Sequence, residues 1–307
     1  MKFLASLALA GAAVAAPLTQ RAGITDVDVL QFALVLEHLE NVFYKGAIQK
    51  FSEADFAKAG FSDFYLRNLK FIAHDEESHV DLLEKGLTAA GSKPNQACTY
   101  SFPYTDVKSF VGLSGVLEGV GTSAYLGAAP AITSKDYLTI AGSILVTEAK
   151  HTSLQRYNLG QIAPENPYGT PLGPNEVFTL AAAFIKSCPA GNYALPFKAF
   201  PSLAAEIGTL PQVGQTHITA FSTKATVPAG AYLTFISGLD VTSVKATKDS
   251  KTGYYNAAVP ESSFGQTYVV LTKADAKGVI SDSNVIAGPA ILEVCSGEPT
   301  LNFSDLK

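Results

Sequence analysis

Two stretches of the sequence set a carboxylate and an imidazole three residues apart: Glu76 with His79 in AHDEESHVDLL, and Glu148 with His151 in LVTEAKHTSLQ. Residues three apart on a helix share a face, so each pair offers one oxygen and one nitrogen to a common point. Two more carboxylates occupy matched places in apolar surroundings. Glu37 in LEHLENVFYKGA and Glu118 in LEGVGTSAYLGA are each followed seven residues later by a tyrosine, Tyr44 and Tyr125, and then by a Gly-Ala pair. The order Glu37, Glu76-x-x-His79, Glu118, Glu148-x-x-His151 reads as one helix pair used twice, with 81 residues between the lone glutamates and 72 between the motif glutamates. An isolated buried carboxylate is very costly, so four in one core require protons or cations. The faces concerned carry almost no Lys or Arg, and two divalent or trivalent ions would supply the charge.

The elements that must position these groups are long helices. From Asp26 the apolar spacing puts Leu30, Ala33, Leu34, Glu37, Asn41 and Tyr44 on one face of a first helix. A second is expected from residue 62 or 63 to Ala89, ended by Gly91 and Pro94. A third runs from about Asp106 to Gly127, before Pro130, and a fourth from about Ser134 to Tyr157. Four such helices joined by modest loops predict an antiparallel four-helix bundle. After Gln161 comes a Pro/Gly-rich linker, APENPYGTPLGPNE, and then NEVFTLAAAFIKSC, which reads as a fifth helix. From Pro189 onward, short β-prone runs between turn residues (HITAFS, AYLTFISG, TSVKAT, QTYVVLTK, AILEV) fit a small antiparallel, Ig-like β-sandwich. The expected class is α+β and multidomain: a signal peptide at 1–16, a helical unit at 24–188 with the linker and fifth helix from 160, and a β-rich unit at 189–307.

Composition narrows the function classes. The chain has 307 residues, a net charge of −5 and only 16% charged residues. No Lys/Arg cluster appears, so a nucleic-acid surface is not expected. Lys2, the apolar run from Phe3 to Ala16 and the Ala13-Val14-Ala15 site before Pro17 read as a secretory signal. The run is cut short by Pro17, Gln20 and Arg21, so no membrane span is expected in the mature chain, whose placement is extracellular or at the cell wall. Export permits disulfides, and the three cysteines allow one bridge. Cys98 follows a helix-ending segment and Cys188 is read as closing the fifth helix, which favours that pair and leaves Cys295 over. Asn302 begins the one N-glycosylation sequon.

A Glu on each of two helices and Glu-x-x-His on each of two others resembles the di-iron or di-manganese carboxylate pattern of ferritin-like proteins. The tyrosine seven residues after the first Glu is also similar to ferritins and bacterioferritins. With its signal, bundle and β-rich tail, the whole chain resembles the secreted fungal ferritin-like proteins of stress-response, desiccation-related or sexual-development type. The resemblance implies two iron or manganese ions, with Glu37 and Glu118 as terminal ligands, Glu76 and Glu148 as bridges, and His79 and His151 each binding one ion. Asp75 and Thr147, each just before a bridging Glu, become candidates to orient a His across the bundle, and Tyr44 and Tyr125 suit hydrogen bonds to ligands. Unlike ferritin, about 140 residues follow the bundle here, which argues against cage-type storage.

The chemistry so implied is ferroxidase activity or consumption of O2 or peroxide in a stress response, with an oxidoreductase as the candidate enzyme. The alternative is a non-enzymatic extracellular stress or cell-wall protein, its bundle keeping a relic polar core and its β-rich unit binding a partner that the sequence does not name. Core packing competes with chemistry for Tyr44 and Tyr125. Glu40, Glu77, His38 and His74 read as solvent-facing, with Glu40 a substitute for Glu37 if the helix is rotated, and His217 reads as structural.

Overall fold

The computed structural model describes residues 23–206 and 218–295, together with Pro299 and Leu301. The expected signal peptide, His217 and Asn302 lie outside the described residues. The helices are α1 (Asp26–Lys50), α2 (Glu53–Ala59), α3 (Asp63–Ala89), α4 (Val107–Ala128), α5 (Lys135–Asn158) and α6 (Pro174–Ala182). Side chains start most of them by satisfying the free N–H groups of the first turn. Thr25 and Asp28 form a capping box on α1, Asp106 and Ser109 form one on α4, and Ser62 and Ser134 cap α3 and α5. Helix α2 adds to the expected elements: a Ser52–Asp55 capping box starts it and Gly60, at φ 96°, stops it.

The four long helices pack as α1 on α3, α4 on α5, α1 on α4 and α3 on α5. Among the described residues, no helix is long and apolar enough to cross a membrane. Helix α1 is buried around most of its circumference, as expected of a helix that is apolar on more than one face. One side faces α3 and α4. The other is covered by the C-terminal half of the chain, where Phe32 meets Phe178 at 6.2 Å and Phe197 at 4.8 Å between ring centroids.

The fifth helix is shorter than expected. It ends at Ala182, and residues 185–187 form an extended strand, β2 (Ile185–Ser187), antiparallel to β1 (Thr99–Tyr100). Backbone pairing to β1, together with a bond from Ser101 N to Phe184 O, holds this stretch extended in place of another helical turn. Cys98 and Cys188 are joined beside this ladder, so Cys188 follows a strand and does not close a helix.

Eight further strands follow: β3 (Ala204–Glu206), β4 (Ile218–Ser222), β5 (Tyr232–Ser237), β6 (Asp240–Lys245), β7 (Thr247–Lys248), β8 (Tyr255–Ala258), β9 (Gly265–Thr272) and β10 (Val285–Val294). They form two antiparallel four-stranded sheets of order β10-β9-β5-β6 and β3-β4-β8-β7. Strand β9 is buried on both faces, which explains its unbroken apolar run. Its Val269 and Leu271 join Phe221, Leu233 and Phe235 in a core within the β region, while Tyr268 and Val270 join the core of the helices. Helix α4 receives this strand along small residues: the Tyr268 hydroxyl donates to Gly119 O at 2.9 Å and lies 2.9 Å from Ser123 Oγ. A turn further on, Gly127 lies so close to the backbone of Leu172 that no Cβ would fit. Arg156 ties the far end of α5 to the β region, with bonds of 3.0 and 2.7 Å to Glu293 and an ion pair of 2.9 Å to Glu165 in the linker.

Candidate metal centre

The four long helices bring all six predicted ligands to one place. Glu37, Glu76, Glu118 and Glu148 are completely buried, and His79 and His151 nearly so. Two groups of four carry potential ligand atoms within 4.8 Å of one another: Glu37, Glu76, His79 and Glu148, and Glu76, Glu118, Glu148 and His151. Glu76 and Glu148 are common to both groups, which is the arrangement of two bridging carboxylates. Both imidazoles aim Nδ1 inward. His79 Nδ1 lies 3.2 Å from Glu37, 3.4 Å from Glu76 and 3.5 Å from Glu148. His151 Nδ1 lies 3.0 Å from Glu76 and 3.3 Å from Glu118.

Whether these residues suit metal ions is decided by what else satisfies them. Both oxygens of Glu76, both of Glu148, Oε2 of Glu118 and Nδ1 of His151 are buried without a hydrogen-bond partner. The inward nitrogens lie close enough to pair electrostatically with these oxygens, but not in hydrogen-bond alignment. Leaving one buried polar atom unpaired costs about 1–3 kcal/mol, so six such atoms do not make a self-sufficient polar core. An all-oxygen-and-imidazole donor set is the one expected for iron or manganese.

The electrostatics agree. Burial pushes Glu76 up to about 7 and drives Glu148 well above the ordinary carboxylate range, helped by the neighbouring carboxylates. Burial alone would lower the histidines, but Glu37 and Glu76 outweigh it at His79, raising it to about 10. Glu118 and Glu76 do the same at His151, raising it to about 11. Without cations, the cluster holds protons in their stead.

The surrounding contacts cross between the repeated halves. Tyr44 of α1 donates to Oε1 of Glu118 on α4, and Tyr125 of α4 donates to Oε1 of Glu37 on α1. Each tyrosine therefore serves the glutamate of the other half. Tyr44 is further supported by a chain of side chains: Tyr65 donates to Gln155 Oε1 at 2.7 Å, and Gln155 Nε2 donates to Tyr44 at 3.3 Å. Asp75 on α3 lies 3.2 Å from the outward Nε2 of His151 on α5, where it fixes the ring. Thr147 does not play the matching part for His79. Its hydroxyl donates to Ser143 O of its own helix at 3.3 Å, a bond that a threonine in mid-helix forms readily.

Three expectations are corrected. Glu40 is 4% exposed rather than solvent-facing, and its carboxylate points towards the cluster. Burial raises it well above the carboxylate range, with further upward pushes from Glu76, Glu118 and Glu37. It stands beside Glu37 without replacing it and belongs to neither ligand group, because α1 is covered on both sides and turns two carboxylates inward one helical turn apart. His38 is buried too, its Nε2 lying 2.9 Å from Asn95 O. Thr147, as above, bonds only its own helix. His74 and Glu77 are exposed, as expected.

Glu40 carried a signal in the repeat itself. The offset that takes Glu37 to Glu118 takes Glu40 to Gly121. A Cβ at Gly121 would collide with Oε2 of Glu148 and meet Oε1 of Glu40 at 3.2 Å, so one half gives up a side chain where the other adds a carboxylate. Tyr65 and Gln155 were also missed. Gln155 stands four residues after His151, on the same helix face.

Residues 25–161 match the family model described as a ferritin-like domain. The helical part of the chain is thus similar to a ferritin-like domain, and antiparallel sheets follow it. It is similar to Protein rds1 of the fission yeast Schizosaccharomyces pombe, with 29% identity over 182 residues, which are 58% of this chain and 44% of that protein. The chain therefore covers less than half the length of this relative. Among solved structures it resembles a conserved hypothetical protein, rv2844, of Mycobacterium tuberculosis, at 19% identity and a TM-score of 0.38, over 44% of this chain and 91% of that one.

Proposed function

We propose that the protein is a secreted ferritin-like protein that holds two metal ions, iron or manganese, bridged by carboxylates, and oxidises ferrous iron or consumes O2 or peroxide in an extracellular stress response. One observation carries the reading: Glu76 and Glu148 are shared by both ligand groups and keep all four oxygens buried without hydrogen bonds. In this reading Glu37 with His79 and Glu118 with His151 complete the two ligand sets, Tyr44 and Tyr125 hold the outer oxygens of the terminal glutamates, and Asp75 sets the ring of His151. Two such ions, when bound, supply redox cycling against O2 or peroxide. The chain's own part is to bury the ligands and to orient them.

Secretion is supported by the N-terminal signal pattern and by a disulfide, a bond that persists in oxidising compartments. The same reading takes the four long helices as an antiparallel four-helix bundle and the two sheets as an Ig-like sandwich. Elemental analysis of protein purified from secretion without chelators tests the proposal. The expected result is about two iron or manganese ions per chain, together with iron oxidation or peroxide loss that disappears in the Glu76→Gln and Glu148→Gln variants. A chain free of transition metal under those conditions would sink it.

A further inference from the structure

The metal cluster has two sides of opposite character. On the imidazole side, His79, His151, Asp75, Thr147 and Lys150, together with Phe71, Ile72 and Leu154, line an open cleft of about 440 Å³ between α3 and α5, the more polar of the two cavities. On the opposite side lies a second cavity, of about 230 Å³, between α1, α4, α6 and β10. Its walls include Leu36, Leu39, Leu117, Val120, Leu180 and Ile291, and Glu40 and Gly121 line the part nearest the cluster. Ala183 and Ser202, both exposed, belong to the same lining and mark its mouth.

This cavity contains one buried polar side chain not committed elsewhere. Thr179 Oγ1 donates to Asn175 O at 2.6 Å and accepts from Phe200 N at 2.9 Å. Glu40 makes no hydrogen bond among the described residues, although it is 4% exposed. Apolar cavities bind apolar molecules readily; one of about 150 Å³ accepts benzene. A volume of about 230 Å³ therefore leaves room for one aromatic ring or short aliphatic chain and a few further atoms. A carboxylate at the closed end accepts a hydrogen bond from whatever group enters first. Pockets of this kind, mostly apolar with one oriented polar group, are typical of small-molecule sites.

We propose that the cavity between α1, α4, α6 and β10 binds a small, mainly apolar organic molecule by one O–H or N–H group, which donates to Glu40 beside the metal cluster. Metal ions and water have the polar cleft as their way in, and the organic molecule has the apolar one. The inference deepens the metal-centre reading by naming the class of substrate, but binding itself requires no metal.

The test uses the full chain, both metal-free and metal-loaded, with 4-fluorobenzyl alcohol as the probe followed by fluorine NMR. Saturable binding is expected in both states, with competition by unlabelled benzyl alcohol. Fluorobenzene, which lacks the donor, should bind about tenfold more weakly, the value of one net hydrogen bond. Glu40→Leu should abolish that preference, and Ala181→Phe, which fills the cavity, should abolish binding. Ser202→Phe narrows the mouth from an exposed position and should weaken binding in a chain that folds normally. Absence of saturable binding in the unmodified chain, or binding that neither Ala181→Phe nor Ser202→Phe alters, overturns the proposal. Metal content is measured separately on the same samples, so an empty metal centre and an empty cavity are distinguishable.

Discussion

The hydroxyl of Tyr125, on α4, donates to Oε1 of Glu37, on α1. Tyr44 on α1 returns the relation by donating to Glu118 on α4. Each bond spans the two halves of the repeat, so neither terminal glutamate is oriented by its own half alone. The two are not equally braced, because Tyr44 also takes a bond from Gln155 and Tyr125 has no such support among the described residues.

Replacing either tyrosine with phenylalanine should therefore weaken metal binding. Partners one bond removed from a metal are worth about 10–100-fold in affinity. Tyr44→Phe should also cost the metal-free fold about 1–3 kcal/mol, because it strips a buried carboxylate oxygen of its donor and unpairs Gln155. Competitive metal titration and thermal unfolding check the two effects.

Substitutions at the ligands should sort by stoichiometry. Glu76→Gln or Glu148→Gln removes a residue common to both ligand groups and should empty the centre. Glu37→Gln or Glu118→Gln removes a residue from one group and should leave about one ion per chain. Metal content of the purified variants by mass spectrometry decides this, and equal losses at all four positions would contradict the bridging assignment.

The stabilising effect of metal should increase with pH. Burial lifts Glu76 to about 7 in the folded chain, and the neighbouring carboxylates, overcoming burial, lift His79 to about 10 and His151 to about 11. Each folded value lies above its ordinary one of 4.5 or 6.5, so the stability these groups contribute is complete below the ordinary value and is lost as pH rises through the folded one. Metal-free protein should thus weaken from about pH 4.5 upward, the Glu76 share being gone above about 7. Metal binding needs deprotonated ligands and runs the other way. Calorimetric scans should show a small difference in Tm between loaded and metal-free protein at about pH 5 and a much larger one at about pH 8. A difference that shrinks with rising pH would contradict this.

Cys98 and Cys188 close a loop over a sequence separation of 90. For a loop of that length, chain entropy sets the contribution at no more than about 4–5 kcal/mol. The Cys98→Ser, Cys188→Ser double variant should unfold at a Tm lower by several degrees, and reduction should reproduce the shift in the unmodified chain.

The six candidate ligands were legible in the sequence because each is an exception to its surroundings. A glutamate inside an apolar helical stretch stands out, and its recurrence at a fixed offset fixes which one counts. Glu40 was harder to read because its role depends on what covers the far side of α1, and that cover comes from residues more than a hundred positions away. His38 was misjudged for the same reason: its partner, Asn95 O, lies in the loop after α3. The end of α6 was set by β1, since the apolar residues after Ala182 carry no local stop signal and strand pairing prevailed over helix propensity. Strand β9 was recognisable as a strand, but not as one with helices on one face and a sheet on the other.

That double-sided strand bears on what can be cut from the molecule. The stretch that matches the ferritin-like family ends at 161, yet Phe32, Leu36 and Leu39 of α1 and Gly119 of α4 are roofed by residues beyond it, Phe178, Leu180, Phe197 and Tyr268 among them. A fragment truncated at that boundary would present a greasy, uncovered flank to water and should self-associate or melt early. The C-terminal half is less a passenger than the second wall of the helices' own interior, and the two halves are best expressed as one piece.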